Sequence, residues 1–139
     1  MAATRMISII GLRNAGKTTF LAALAAELVR RKFRVMTIDE ATDRDADPIA
    51  LARRSLGDAD MVLVEGFKDA PLPKIEVYRS VAGPKPLFDP AVHDPGDWVA
   101  FVTDDRNFRA PFPVFRFSDT AWLVTIANLA WDRAKILPP

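Results

Sequence analysis

A chain of 139 residues, half of them hydrophobic, holds enough apolar material for one domain around one core. Its 19 basic and 18 acidic side chains leave a formal charge of +1, so neither nucleic acid nor an anionic membrane is attracted globally and any anion must be met locally. The absence of cysteine removes disulfides and thiolate metal sites, and one histidine, His93, cannot build a multi-histidine metal site.

The segment MAATRMISIIG has one arginine and an apolar run too short for a secretory core. No stretch reaches the roughly 20 apolar residues that span a bilayer. A soluble, cytoplasmic protein is expected. RMISII is nearly all apolar and reads as a central parallel strand buried on both faces. Lys17 to about Arg31 reads as a helix, with Leu21, Leu24, Leu28 and Val29 along one stripe. Arg30, Arg31 and Lys32 suit its negative end. FRVMTID (33–39) is a second strand, followed by a helix that Asp47 can cap, with Pro48 in its first turn and Gly57 at its end. DMVLVEG (60–66) is a third buried strand. KIEVYR (74–79) alternates, with Ile75 and Val77 on one face. A proline-rich loop leads to DWVAFVTDD (97–105), another strand, and PVFRF is a short strand suited to an edge. Ser118 to about Ile136 reads as a final helix that places Leu123, Ile126, Ala127 and Ala130 together.

Strands alternating with helical segments predict an α/β fold, a mostly parallel β-sheet flanked by helices, in one domain spanning residues 1–139. Ligands of such sheets bind beyond the carboxyl ends of the strands. GLRNAGKT, DEATD, EGFK and TDD all follow strand ends and should gather on one rim.

GLRNAGKT (11–18) fits G-x-x-x-x-G-K-[ST], lies between a buried strand and a helix start, and predicts a phosphate-binding loop. Backbone N–H groups of residues 12 to 18, that of Ala15 among them, can point at phosphate oxygens. Gly11 and Gly16 allow turns and close approach that a Cβ would block. Lys17 would reach the β- and γ-phosphates, and the Thr18 hydroxyl would bind Mg²⁺. Arg13 and Asn14 occupy free positions, where they either touch phosphate or a partner or simply supply exposed polarity. Thr19 either meets the α-phosphate or satisfies a backbone group.

Glu65, ending VLVEG, stands where P-loop proteins place the acid that holds Mg²⁺ through water. Gly66 can offer its N–H to a γ-phosphate. Asp39 and Glu40 compete for the metal, although much of the acidic run to Asp47 reads as a solvated loop. Lys68 either balances phosphate charge, or holds an anionic second substrate, or is an ordinary surface lysine. No N-K-x-D tetrad occurs, and Asp104 is the acid placed comparably for reading a base; a turn role fits it and Asp105 equally.

GLRNAGKTTF and DMVLVEGFKDAPLPKIEVYR, with the later WVAFVTD, resemble the MobB family, GTP-binding adaptors of molybdopterin-guanine dinucleotide biosynthesis. The resemblance covers the first forty residues and about residue 58 to the end. It implies a P-loop NTPase fold, GTP with Mg²⁺, frequent homodimerisation and partnership with the MobA guanylyltransferase, with molybdopterin a candidate ligand. It matches Gly11, Gly16, Lys17, Thr18 and Thr19 to the family's phosphate loop, Glu65, Gly66, Phe67 and Lys68 to its second signature, and Asp104 to its acid after the fifth strand. The chain departs from the pattern after the second strand, where TIDEATDRD lacks a histidine and only a short tract precedes MVLVEG. Asp39 is then a candidate substitute for a lost contact. With no evident catalytic glutamine or arginine finger, hydrolysis is expected to be slow or absent. Two other readings are a small P-loop kinase, which needs an arginine-bearing lid that loop 80–96 does not supply, and a metallochaperone-type GTPase, which needs more metal ligands than one histidine.

Overall fold

Thr4–Ile10 forms β1, which is covered on both faces, as its uninterrupted apolar character predicts. The computed structural model describes residues 3–54, 58–119 and 121–138. β1 pairs in parallel with β3 (Met61–Glu65) on one side and with β4 (Lys74–Tyr78) on the other. β2 (Val35–Asp39) lies outside β3, β5 (Trp98–Thr103) outside β4, and β6 (Val114–Arg116) at the edge beyond β5. The order β2-β3-β1-β4-β5-β6 is parallel throughout, the sheet expected from the alternating elements.

Three α-helices flank it: α1 (Lys17–Arg30), α2 (Pro48–Arg54) and α3 (Trp122–Arg133). α1 and α3 bring Phe20, Leu24, Leu28, Ile126 and Ala130 onto the face that carries Ile7, Ile9, Ile75 and Val77. α2 sets Ala52 against Met6, Val62 and Val64 on the opposite face. Asp47 caps α2 through a 2.9 Å bond from the Ile49 N–H. The expected stop at Gly57 lies outside the described residues.

Parallel crossovers are right-handed, so direction along the sheet decides which face a connection takes. The step from β1 out to β2 passes through α1 on the first face. The steps from β3 to β4, β4 to β5 and β5 to β6 run the other way, and their connections cover the second face through Leu72, Phe88 and Phe112. Over β4 and β5 that face is therefore closed by loops.

The structure corrects several expectations. Val29 is 55% exposed, because Glu27 takes an inward position on α1. β4 is buried along its whole length, Glu76 included. The last helix stops at Arg133, and Lys135–Leu137 forms β7, antiparallel to Thr4–Met6 of β1. β4 occupies only Ser8–Ile10 of that edge, so the amides and carbonyls below it need another partner and β7 supplies it. A bulge at Val99 also breaks the parity of β5: Trp98 joins Phe101 on the second face, while Val99, Ala100 and Val102 share the first. Among the described residues no helix is long and apolar enough to cross a membrane.

Candidate functional site

Between the end of β1 and the start of α1 the chain must reverse within residues 11–16. Asn14 at φ 68° and Gly16 at φ 95° do this with left-handed backbone. Glycine adopts that region freely, and asparagine is among the few other residues enriched there. Gly11 serves packing instead, since a Cβ on it would collide with the Val77 carbonyl oxygen of β4. Ala15 is buried and its N–H donates to the Leu12 carbonyl at 3.1 Å, so this amide closes the turn and does not face a phosphate. The amides of the first turn of α1 have no preceding turn to bond and sit at the positive end of the helix dipole. Lys17 arches back over the loop, its Nζ donating to the Gly11 carbonyl at 2.7 Å. An ammonium carries three donors, so two remain for an anion. Arg13, Asn14 and Thr19 are exposed.

Across the rim, the Thr18 hydroxyl donates to Glu65 Oε1 at 2.8 Å. The first turn of α1 and the end of β3 thus present a hydroxyl and a carboxylate together, hard oxygen donors of the kind Mg²⁺ takes. Among the described residues no three or more histidine, aspartate or glutamate side chains converge on a metal position. The donor set fits an ion whose other ligands are phosphate oxygens and water, as in nucleotide sites, and does not fit a dedicated protein cage. Asp39 lines the same cavity of about 410 Å³ as Lys17 and Glu65. Its Oδ1 accepts the Ala41 N–H at 2.9 Å, which shapes the turn after β2.

Gly66 departs from expectation. Its N–H donates to the Ile9 carbonyl at 2.8 Å, extending the β1–β3 ladder, and is not turned toward a phosphate. What the position requires is space: φ is 90°, and a Cβ would run into the Glu40 carboxylate. Glu40 in turn accepts the Phe67 N–H at 3.1 Å, tying the end of β2 to the turn after β3. Lys68 is exposed and shares a cavity of about 220 Å³ with Lys17 and Gly66.

Asp104 Oδ1 accepts from the Ser80 N–H at 2.9 Å and from the Ser80 hydroxyl at 3.1 Å, so it clamps the end of β5 to the end of β4. Asp105 Oδ1 accepts the Asn107 N–H, a turn role. Sequence reasoning missed two cations at this rim. Arg79, the first residue past β4, lies against the loop: a Cβ on Gly16 would stand 3.3 Å from its Nε. Its guanidinium stacks 3.8 Å over Phe117. Its place at a strand's carboxyl end was the available signal. Arg44 lines the cavity beside Lys17, hidden in sequence within an acidic tract read as solvated loop.

Residues 42–104 match the family model MobB, molybdopterin guanine dinucleotide synthesis protein B. That stretch, 63 of the 139 residues, is similar to the MobB family. The match begins past the loop at residues 11–16 and takes in Glu65 to Lys68, β4, β5 and Asp104. Solved MobB structures extend the likeness over nearly the whole chain. A MobB protein homolog from Bacillus stearothermophilus, 21% identical, superposes with a TM-score of 0.66 over 92% of this chain and 99% of its own. Bacillus subtilis MobB, 15% identical, gives 0.64 over 94% and 98%. At such identities the likeness outside the matched segment is one of fold alone. No curated protein matches the chain.

Proposed function

We propose that this protein is a MobB-type adaptor that binds GTP with Mg²⁺ and assists a MobA-type guanylyltransferase in forming molybdopterin guanine dinucleotide. The observation that carries the reading is the rim geometry: Lys17 folded over the left-handed loop, with the Thr18–Glu65 pair 2.8 Å apart beside it. Lys17 and the first amides of α1 would hold the β- and γ-phosphates. Thr18 and Glu65 would hold Mg²⁺, which neutralises phosphate charge when bound. Lys68 borders the same space, the exposed Arg13, Asn14 and Thr19 would reach phosphate from the loop and the first turn of α1, and Asp104 would meet the base. The match of residues 42–104 supports the pathway assignment.

Hydrolysis is slow in this reading. The chain contains no glutamine to orient water, and Arg79 is engaged over Phe117. Unassisted turnover of the order of 10⁻⁴ s⁻¹ is the appropriate scale. The protein acts in the cytoplasm as a homodimer, with molybdopterin as a candidate ligand. Calorimetry with GTP, ATP and GDP, each with and without Mg²⁺, tests the reading: GTP should bind in a Mg²⁺-dependent manner, and Lys17→Ala should abolish the heat while the protein stays folded. Retained GTP affinity in the folded variant, or turnover of several per second by the isolated protein, would sink it.

A further inference from the structure

On the second face of the sheet, the loops that cover β4 and β5 leave a groove between them. One wall is the segment after β3, seated through Phe67 and Leu72, and the other is the loop before β5, where Phe88 packs edge-on against Trp98 at 5.1 Å. From Lys17 and Gly66 on the rim the groove passes Ile10, Lys68, His93 and Trp98. It opens into a cleft of about 710 Å³ at the amino ends of β4 and β5, bordered by the end of α3 and by β7.

The charge of this cleft differs from that of the chain. Lys68, Lys74, Arg133 and Lys135 line it against two carboxylates, Asp69 and Asp97. Asp97 and Asp69 act on Lys74 at longer range, and the short ion pairs among the described residues, which involve Glu27 and Asp60, take none of these four cations. Lys74 is only 8% exposed, and its Nζ donates to the Ala70 carbonyl at 3.1 Å and the Leu72 carbonyl at 2.8 Å. One of its three donors is left. Arg133 donates one bond to the Gly96 carbonyl at 3.2 Å, which holds its guanidinium at the mouth. His93 accepts the Asp89 N–H at Nδ1, 2.9 Å away, so the neutral ring carries its proton on Nε2 and is a donor there.

A planar guanidinium fork, ammonium groups and an imidazole N–H around a roomy cleft match the oxygens of a phosphate better than any neutral ligand. We propose that this cleft is a second anion site, distinct from the loop at residues 11–18, which takes the phosphate group of a small organic phosphate monoester whose body lies in the groove. The site stands on its own residues and does not depend on nucleotide binding at Lys17.

The experiment is a ¹⁵N NMR titration of the full chain with inorganic phosphate and then glycerol 3-phosphate, ionic strength held constant with sodium chloride. Wild type and Lys17→Ala should both show saturable shifts at Gly96, Asp97 and the Trp98 indole. Arg133→Gln with Lys135→Gln should weaken that binding at least tenfold in a protein whose spectrum stays dispersed. If the double variant fails to fold, Lys135→Gln alone should weaken it measurably. Shifts confined to residues 11–18, equal shifts with chloride alone, or unchanged affinity in the folded cleft variants would overturn the proposal. A failure of GTP calorimetry with the cleft shifts intact would overturn only the nucleotide reading.

Discussion

Glu76 is the residue whose chemistry its sequence context hides. It is fully buried beneath the proline-rich loop, and its carboxylate accepts the Leu87 N–H at 2.6 Å, the Phe88 N–H at 2.9 Å and the Trp98 indole N–H at 3.1 Å. Burial pushes its pKa above the ordinary carboxylate range, against the pull of those three donors. Glu76→Gln keeps the shape but leaves one oxygen to accept and sets an NH₂ against a donor. The loss should be about 1–3 kcal/mol, the penalty of unsatisfied buried groups, read from the denaturation midpoint. Faster amide exchange at Leu87 and Phe88 should accompany it, and unchanged stability would deny the carboxylate this anchoring role. Asp104 offers a cleaner separation. Its Oδ1 serves Ser80, and an asparagine oxygen can still do so. Asp104→Asn should therefore leave stability unchanged and lower the ratio of GTP to ATP affinity; an unaltered ratio removes Asp104 from base recognition.

Among the elements, α1 shows how a helix stripe is rotated by a polar clamp. Glu27 accepts from Arg30 at 2.7 Å and from Arg31 at 2.7 Å, and Arg31 goes on to the Asn128 side chain and the Val124 carbonyl of α3. The clamp puts Glu27 inward and turns Val29 out, which apolar spacing alone does not anticipate. Hydrogen bonds from Arg30 and then Arg31 hold the Glu27 pKa at about 2, below its ordinary 4.5. The folded state therefore releases this proton more readily than the unfolded chain. Its stabilising contribution is present above pH 4.5 and is lost as pH falls toward 2. Melting temperatures of wild type and Glu27→Gln should differ at pH 7 and converge between pH 4.5 and 2. A gap independent of pH would rule the clamp out as a source of acid sensitivity.

For the molecule as a whole, the junction of the two ends of the chain matters most. β7 takes the part of the β1 edge that β4 leaves open, and Leu137 is fully buried against the second face. Leu137→Ala should cost about 2–5 kcal/mol, the range for large-to-small changes in a packed core. Equilibrium unfolding in guanidinium measures it, with loss of exchange protection at Thr4 to Met6 as the local signature. A loss well below 1 kcal/mol would mean that β7 is an ornament on a sheet complete without it. The same architecture places the groove, because the connections from β3 to β4 and from β4 to β5 cross on the second face as loops where a helix would have filled it.

Six parallel strands, the three helices and the tight turn between β1 and α1 were legible in the sequence because each writes a local pattern: an apolar run, a helical stripe, a cap at Asp47, glycines at 11 and 16. The rim followed from strand ends alone, which is why the segments at Thr18 and Glu65 could be expected to meet. Only the tertiary structure decided that KIL would be a strand, that Gly66 would spend its amide on Ile9, that Trp98 would change faces at a bulge, and that Arg79 would lie on the loop. Each of those is settled by a partner far away in sequence. A backbone donor or a charged side chain takes whichever acceptor the fold brings within reach, and no local pattern records which one that will be.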